Sequence, residues 1–179
     1  MRDGQLTETD GTWRLRFTRV LPHAPEKVWR ALTEDEHLEA WFPTTIEGDR
    51  ASGAALRFEH RDADLPAMEG EMIACEPPSL LEFTWGEDTL RFQLAPHEAG
   101  TELTLIDTLA ERGKAARDGA GWHVCLDRLG YHLEGAEPPW TSPDRWRQVH
   151  GSYVEGFGPE AATVGPPEEV GEEYQDLKH

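Results

Sequence analysis

The stretch MEGEMIACEPPSLLEFTW, residues 68–85, decides how this chain folds. In its second half Leu81, Phe83 and Trp85 alternate with Glu82 and Thr84, and successive side chains on a strand point to opposite faces, so this is a strand with one apolar face. Pro77 and Pro78 mark a turn before it, because neither can donate to a ladder. Gly86, Glu87 and Asp88 make a tight hairpin signal after it. The next strand repeats the pattern, with Leu90, Phe92 and Leu94 against Arg91 and Gln93, and Pro96 to Gly100 turns the chain again. On the other side Leu56 and Phe58 alternate with Arg57 and Glu59. The whole of Thr44 to Leu109 reads as a meander of short strands, for which antiparallel pairing of neighbours is the simplest topology.

Further out, Trp13, Leu15 and Phe17 share one parity and Arg14, Arg16 and Thr18 the other, which predicts a first strand over Trp13 to Leu21. Arg19 falls on the apolar parity, so either a bulge shifts the register there, the preferred reading, or an arginine enters the interior. Pro25 and Glu26 suit a first helical turn, with Val28, Trp29 and Leu32 as its apolar stripe. Thr33 and Glu36 have capping-box spacing, which predicts a second short helix to Trp41 before Pro43 stops it. Beyond Gly119 the period changes. Trp122, Cys125, Leu126, Leu129 and Leu133 recur at helical spacing, with Asp118 as the expected N-cap and Gly135 as the stop. Ser142, Pro143 and Asp144 open one more helix, with Trp146, Val149, Tyr153 and Phe157 on one face.

This organisation predicts a polar segment over 1–12, one α+β domain over 13–157 and an acidic, proline-rich tail over 158–179. A chain of 179 residues is long enough for a core without staples, and seven Trp with six Phe make that core aromatic. Thirty-five acids against 17 bases give a net charge of −18, which disfavours nucleic acid and anionic lipid as partners. The first eleven residues lack the apolar region of a secretory signal, and no run approaches the length of a membrane span, so a cytoplasmic protein is expected. Cys75 and Cys125 have no metal-ligand spacing and read as reduced thiols. No metal and no cofactor is expected.

Four strings in order point to a family. APEKVWRALTEDEHLEAWF (24–42) resembles the helical insert of Hsp90-ATPase-activator-like proteins, a branch of the START superfamily, and MEGEMIACEPPSLLEFTW resembles their paired central strands. GTELTLIDT (100–108) is similar to the next strand, and GWHVCLDRLGYHLEG (121–135) to the long helix. The resemblance spans roughly Trp13 to Phe157. It implies a helix-grip fold, a curved antiparallel sheet of about seven strands around a long C-terminal helix with two short helices after the first strand, and a hydrophobic cavity between sheet and helix. It implies no common catalytic set. Many members carry a histidine where this chain has Asp107.

The candidate site follows from that fold. Trp41, Phe58, Met72, Trp85, Phe92 and Trp122 are its expected apolar wall, joined by Leu126 and Leu129 from the long helix. Asp107, on the apolar parity with Leu103, Leu105 and Leu109, either reaches water at the strand end or lies buried and needs a partner, for which Arg19 is the obvious candidate. His123 and Asp127, four apart, share a helix face. They read as a surface or rim pair rather than as an oriented base or metal ligands. His37, His60, His97, His132 and His150 show no ligand spacing and read as solvated. The preferred function is binding of a small apolar ligand, as carrier or sensor, by a monomer or homodimer. The alternatives are a co-chaperone acting on an Hsp90-like chaperone and a cyclase- or hydrolase-like enzyme of the same fold.

Overall fold

The computed structural model describes residues 3–61 and 63–166. Seven antiparallel strands form one curved sheet: β1 (Gln5–Thr9), β2 (Thr12–Leu21), β3 (Ala55–Phe58), β4 (Met68–Glu76), β5 (Leu80–Trp85), β6 (Asp88–His97) and β7 (Gly100–Leu109), in spatial order β1-β2-β7-β6-β5-β4-β3. After β2 the chain crosses to the far edge through α1 (Pro25–Thr33) and α2 (Asp35–Leu38), then returns strand by strand until β7 lies beside β2. The long helix α3 (Ala115–Leu133) grips the concave face and α4 (Ser142–Phe157) packs on α3. The helix-grip expectation holds.

The first strand comes from the segment that reads as polar. β1 turns into β2 through Asp10 and Gly11, both with positive φ (51° and 78°), which is the two-residue turn whose twist matches paired strands. β2 then pairs with β7 without a break from Trp13↔Leu109 to Leu21↔Thr101, so there is no bulge at Arg19 and its side chain follows Leu15 and Phe17 inward. The irregularity in the sheet lies instead between Met72 and Ala74. The hairpin at Gly86–Glu87 closes with Trp85 opposite Asp88, as its residues require.

Helix boundaries differ from expectation in two places. The Thr33–Glu36 capping box does not form, because Thr33 Oγ1 donates back to the Trp29 carbonyl at 2.9 Å, and α2 is a single turn. Trp41 and Phe42 nonetheless fold beneath it, with the Trp41 indole N–H donating to Ala31 O at 2.8 Å. α3 starts at Ala115, after a 3₁₀ turn over Arg112–Lys114, so Asp118 is not its N-cap but sits in its first turn. Gly135 ends it at φ 70°, its N–H donating to His132 O and that of Ala136 to Tyr131 O, both at 3.0 Å. α4 begins where Asp144 N–H donates to Thr141 Oγ1 at 3.3 Å and buries Trp146, Val149 and Tyr153. Of the tail, Gly158 to Pro166 lies along the body, with Ala161 buried and Val164 N–H donating to Gly113 O. The rest of the tail lies outside the described residues.

Candidate functional site

The inner faces of β3, β5 and β6 and the underside of α2 bring their rings into one seam. Phe42 stands at its hub, with ring centroids 5.3 Å from both Trp41 and Trp85, 5.8 Å from Trp122 and 6.3 Å from Phe83. Phe58 lies 5.1 Å from Trp85 and 5.6 Å from Phe83, and Phe83 leads on to Phe92 at 6.2 Å. Most of these pairs are edge-to-face or tilted, the arrangement that ring quadrupoles favour, contributing ~0.5–1.5 kcal/mol per pair beyond burial. Trp41, Phe58, Met72, Phe92, Trp122, Leu126 and Leu129 are all buried, and Trp85 is half-buried at one end of the seam. The structure therefore gathers the expected apolar wall on one face. Phe42 and Phe83, which complete it, carry the same alternation and helix-end signals as their neighbours.

Asp107 points into this interior and is 1% exposed. Its partner is not Arg19. The Trp122 indole N–H donates to Asp107 Oδ2 at 3.0 Å, while Oδ1 has no hydrogen-bond partner among the described residues. Two more carboxylates lie beside it, Asp88 at the start of β6 and Asp118 in the first turn of α3. Lys114 reaches in, its Nζ 2.8 Å from Asp88 Oδ2 and 4.0 Å from Asp118 Oδ2. Burial, reinforced by Asp88 and Asp118, holds the Asp107 carboxyl well above the usual carboxylate range, only partly opposed by Trp122 and Lys114. Burial also raises Asp118, against the opposing charge of Arg117.

Arg19 belongs to a second polar network. Its Nε donates to Asp3 Oδ2 at 2.5 Å and its Nη1 to Asp127 Oδ1 at 3.0 Å. Register separates it from Asp107, since Arg19 stands opposite Leu103 whereas Asp107 stands opposite Leu15. His123, 4% exposed, is not a surface residue: its Nδ1 lies 2.8 Å from the Tyr153 hydroxyl and 3.0 Å from Asp3 Oδ1, and its Nε2 is 3.6 Å from Asp127 Oδ2. Arg145 Nε donates to the same Asp127 oxygen at 2.9 Å. Burial alone would raise the Asp3 carboxyl, but the His123 hydrogen bond and the Arg19 charge overcome it and hold Asp3 well below its usual range. Burial pushes the Tyr153 phenol upward, so it stays protonated and can donate to Asp3. Nothing in the sequence singled out Asp3, Arg145 or Tyr153 as partners, because Asp3 precedes β1 while Arg145 and Tyr153 lie on α4, at the other end of the chain.

Other histidines also have partners. His37 Nδ1 lies 2.9 Å from His132 Nε2, and His150 is buried and stacks on Trp146 at 4.1 Å, so neither arrangement fits solvated histidines. Of the glycines on α3, Gly119 permits close packing, since a Cβ there would stand 3.0 Å from Tyr153 Cδ1, whereas one at Gly121 or Gly130 would meet nothing within 4 Å. Two open grooves mark the surface. One of about 840 Å³ runs between α1–α2 and residues 45–50 with Glu34, Asp35 and Glu47 in its walls, and one of about 450 Å³ lies on the outer face of the sheet near Arg16 and Arg91. None of the expected ligand-binding residues lines either.

The profile of the Activator of Hsp90 ATPase homolog 1-like proteins matches residues 22–134, from the end of β2 to the end of α3. The chain belongs to that family. No curated protein matches it. Among solved structures, a conserved protein of unknown function from Enterococcus faecalis is 22% identical, with a TM-score of 0.70 over 86% of this chain and 90% of that one. CalU16 from Micromonospora echinospora is 19% identical, with a TM-score of 0.66 over 92% and 98%. A Bordetella parapertussis protein solved by NMR is 26% identical, with a TM-score of 0.67 over 86% and 91%. These likenesses establish the helix-grip fold of the family. Among the described residues no helix is long and apolar enough to cross a membrane.

Proposed function

We propose that this domain binds a small, largely apolar ligand in the seam between the sheet and α3, as a carrier or sensor. The observation that carries the reading is the ring seam itself, which runs from buried Trp41 to half-buried Trp85 along the concave face. A ligand enters by parting Trp85 and Trp122, whose centroids stand 5.8 Å apart, and stacks between them. Membership of the family supports this reading. Arg19 has no place in it as a polar anchor, since both of its paired carboxylates belong to the second network.

The test is native mass spectrometry of protein purified gently from its own host, with titration of an environment-sensitive apolar dye against wild type and Leu129→Trp. A co-purifying apolar mass, or saturable dye binding weakened at least tenfold by the bulky substitution, supports a ligand in the seam. No adduct, together with dye binding indifferent to Leu129→Trp, removes it.

A further inference from the structure

We propose that Asp88, Asp107 and Asp118 form a binding site for one hard divalent cation of the Mg²⁺, Mn²⁺ or Ca²⁺ class. The three carboxyl groups each turn an oxygen to within 4.8 Å of the other two. Oxygens coordinated to one such ion at ~2.0–2.6 Å can stand no further apart than about twice that distance, so the span fits a single ion. The ligands come from three fixed elements: the first residue of β6, an interior position of β7 and the first turn of α3. Each is also oriented by a neighbour. Ala110 N–H donates to Asp88 Oδ1 at 2.9 Å, Trp122 Nε1 to Asp107 Oδ2 at 3.0 Å and Arg117 Nε to Asp118 Oδ1 at 2.7 Å. Such outer partners hold metal-binding carboxylates in place.

A group of acids alone would say little, but Asp107 adds an independent observation. It is 1% exposed, and its Oδ1 has no hydrogen-bond partner among the described residues, which a buried carboxyl oxygen rarely lacks. The cluster already draws in positive charge, because the Lys114 ammonium sits 2.8 Å from Asp88 Oδ2. That ammonium pairs directly with Asp88 and only partly offsets the burial of Asp107. Lys114 stands at the N-cap of α3 with its side chain partly exposed, so it can swing to water when an ion enters. The ligand set is all oxygen, which favours hard ions over Zn²⁺ or Cu²⁺, with water completing the shell. This site meets the apolar seam at Trp122, but its test reads cation binding through the carboxylates, so either proposal can fail without the other.

The experiment is Mn²⁺ binding to the EDTA-stripped full chain, read by electron paramagnetic resonance and calorimetry, with Mg²⁺ and Ca²⁺ as competitors. Expected are one saturable Mn²⁺ site, a loss of affinity of at least tenfold in Asp107→Asn and in Asp118→Asn, and a several-fold gain in Lys114→Gln, which removes the competing ammonium. Circular dichroism confirms that each variant folds. Glu36→Gln, in the exposed Glu34–Glu36–His37 group, serves as a control whose affinity stays unchanged. Mn²⁺ binding weaker than millimolar in both wild type and Lys114→Gln overturns the proposal. So does binding that persists in Asp107→Asn and Asp118→Asn, which would mark diffuse attraction to a chain of net charge −18.

Discussion

Asp107→Asn should stabilise the metal-free protein at pH 7. In the native chain the carboxyl is buried beside two other acids, and its Oδ1 is unpartnered among the described residues. Asparagine keeps an oxygen for the Trp122 N–H and sets an uncharged NH₂, rather than a third acid, beside Asp88 and Asp118. Leaving a buried polar group unsatisfied costs ~1–3 kcal/mol, so relieving it should raise Tm by about 2–10 °C in a domain of this size. The pH dependence fixes the cause. A carboxyl raised in the folded state favours folding most fully below its unfolded pKa, near 3.9, and that contribution is lost as pH rises through the folded value. The advantage of Asn over Asp should therefore shrink toward zero as pH is lowered toward 4. The assay is thermal unfolding in EDTA at pH 4 to 8 of wild type, Asp107→Asn, Arg19→Met and the double mutant. A fall in Tm at pH 7 in Asp107→Asn would refute the reasoning, because it would mean that the charged carboxylate is held by Lys114. Coupling with Arg19→Met beyond ~0.5 kcal/mol would refute the separation of the two networks.

Arg19→Met should itself lower stability by about 2–3 kcal/mol, since it leaves Asp3 without its guanidinium and Asp127 with one guanidinium instead of two; urea unfolding measures it. Asp3→Asn should lower Tm at pH 7 but not under acid: a depressed carboxyl contributes stability above its unfolded pKa, lost as pH falls through the folded value, so the two melting curves converge at low pH. Tyr153→Phe should cost ~1–2 kcal/mol by leaving Gly4 N–H without its acceptor and taking the phenolic donor from Asp3, seen by chemical denaturation. Gly121→Ala and Gly130→Ala should each raise stability by ~0.5–1 kcal/mol, as open helical positions do, and a loss at either would show a neighbour that the geometry lacks.

The parts of the fold that were legible were those with a face to bury. Leu81-Phe83-Trp85 and Leu90-Phe92-Leu94 announce themselves by period 2, and Trp122-Leu126-Leu129-Leu133 by period 3.6. β1 was not legible because QLTET is an edge strand with most of its side chains exposed, leaving no apolar alternation to read. The apolar wall was visible for the reason the strands were, since parity alone directs Phe58 and Phe92 inward. The polar groups were not. Arg19 looked like a register fault because its partners are Asp3, on a segment with no pairing signal, and Asp127, whose local spacing points to His123 instead. Asp88 read as hairpin chemistry and Asp118 as a cap, and both assignments are local. Only the closure of β6, β7 and α3 on one another brings them to Asp107.

The order of the strands also bears on where this chain can be cut. The matched family residues, 22–134, stop short of β1, β2 and α4. β2 is the strand that covers β7 along its whole length, from Trp13↔Leu109 to Leu21↔Thr101. A fragment trimmed to those limits would leave β7 as a long bare edge, with Leu103 and Leu105 beside it, and α3 without the helix that packs behind it. Such edges recruit strands from other molecules. Trimming would convert a closed sheet into a template for swapping or aggregation, so the cooperative unit is wider at both ends than the similarity that identifies it.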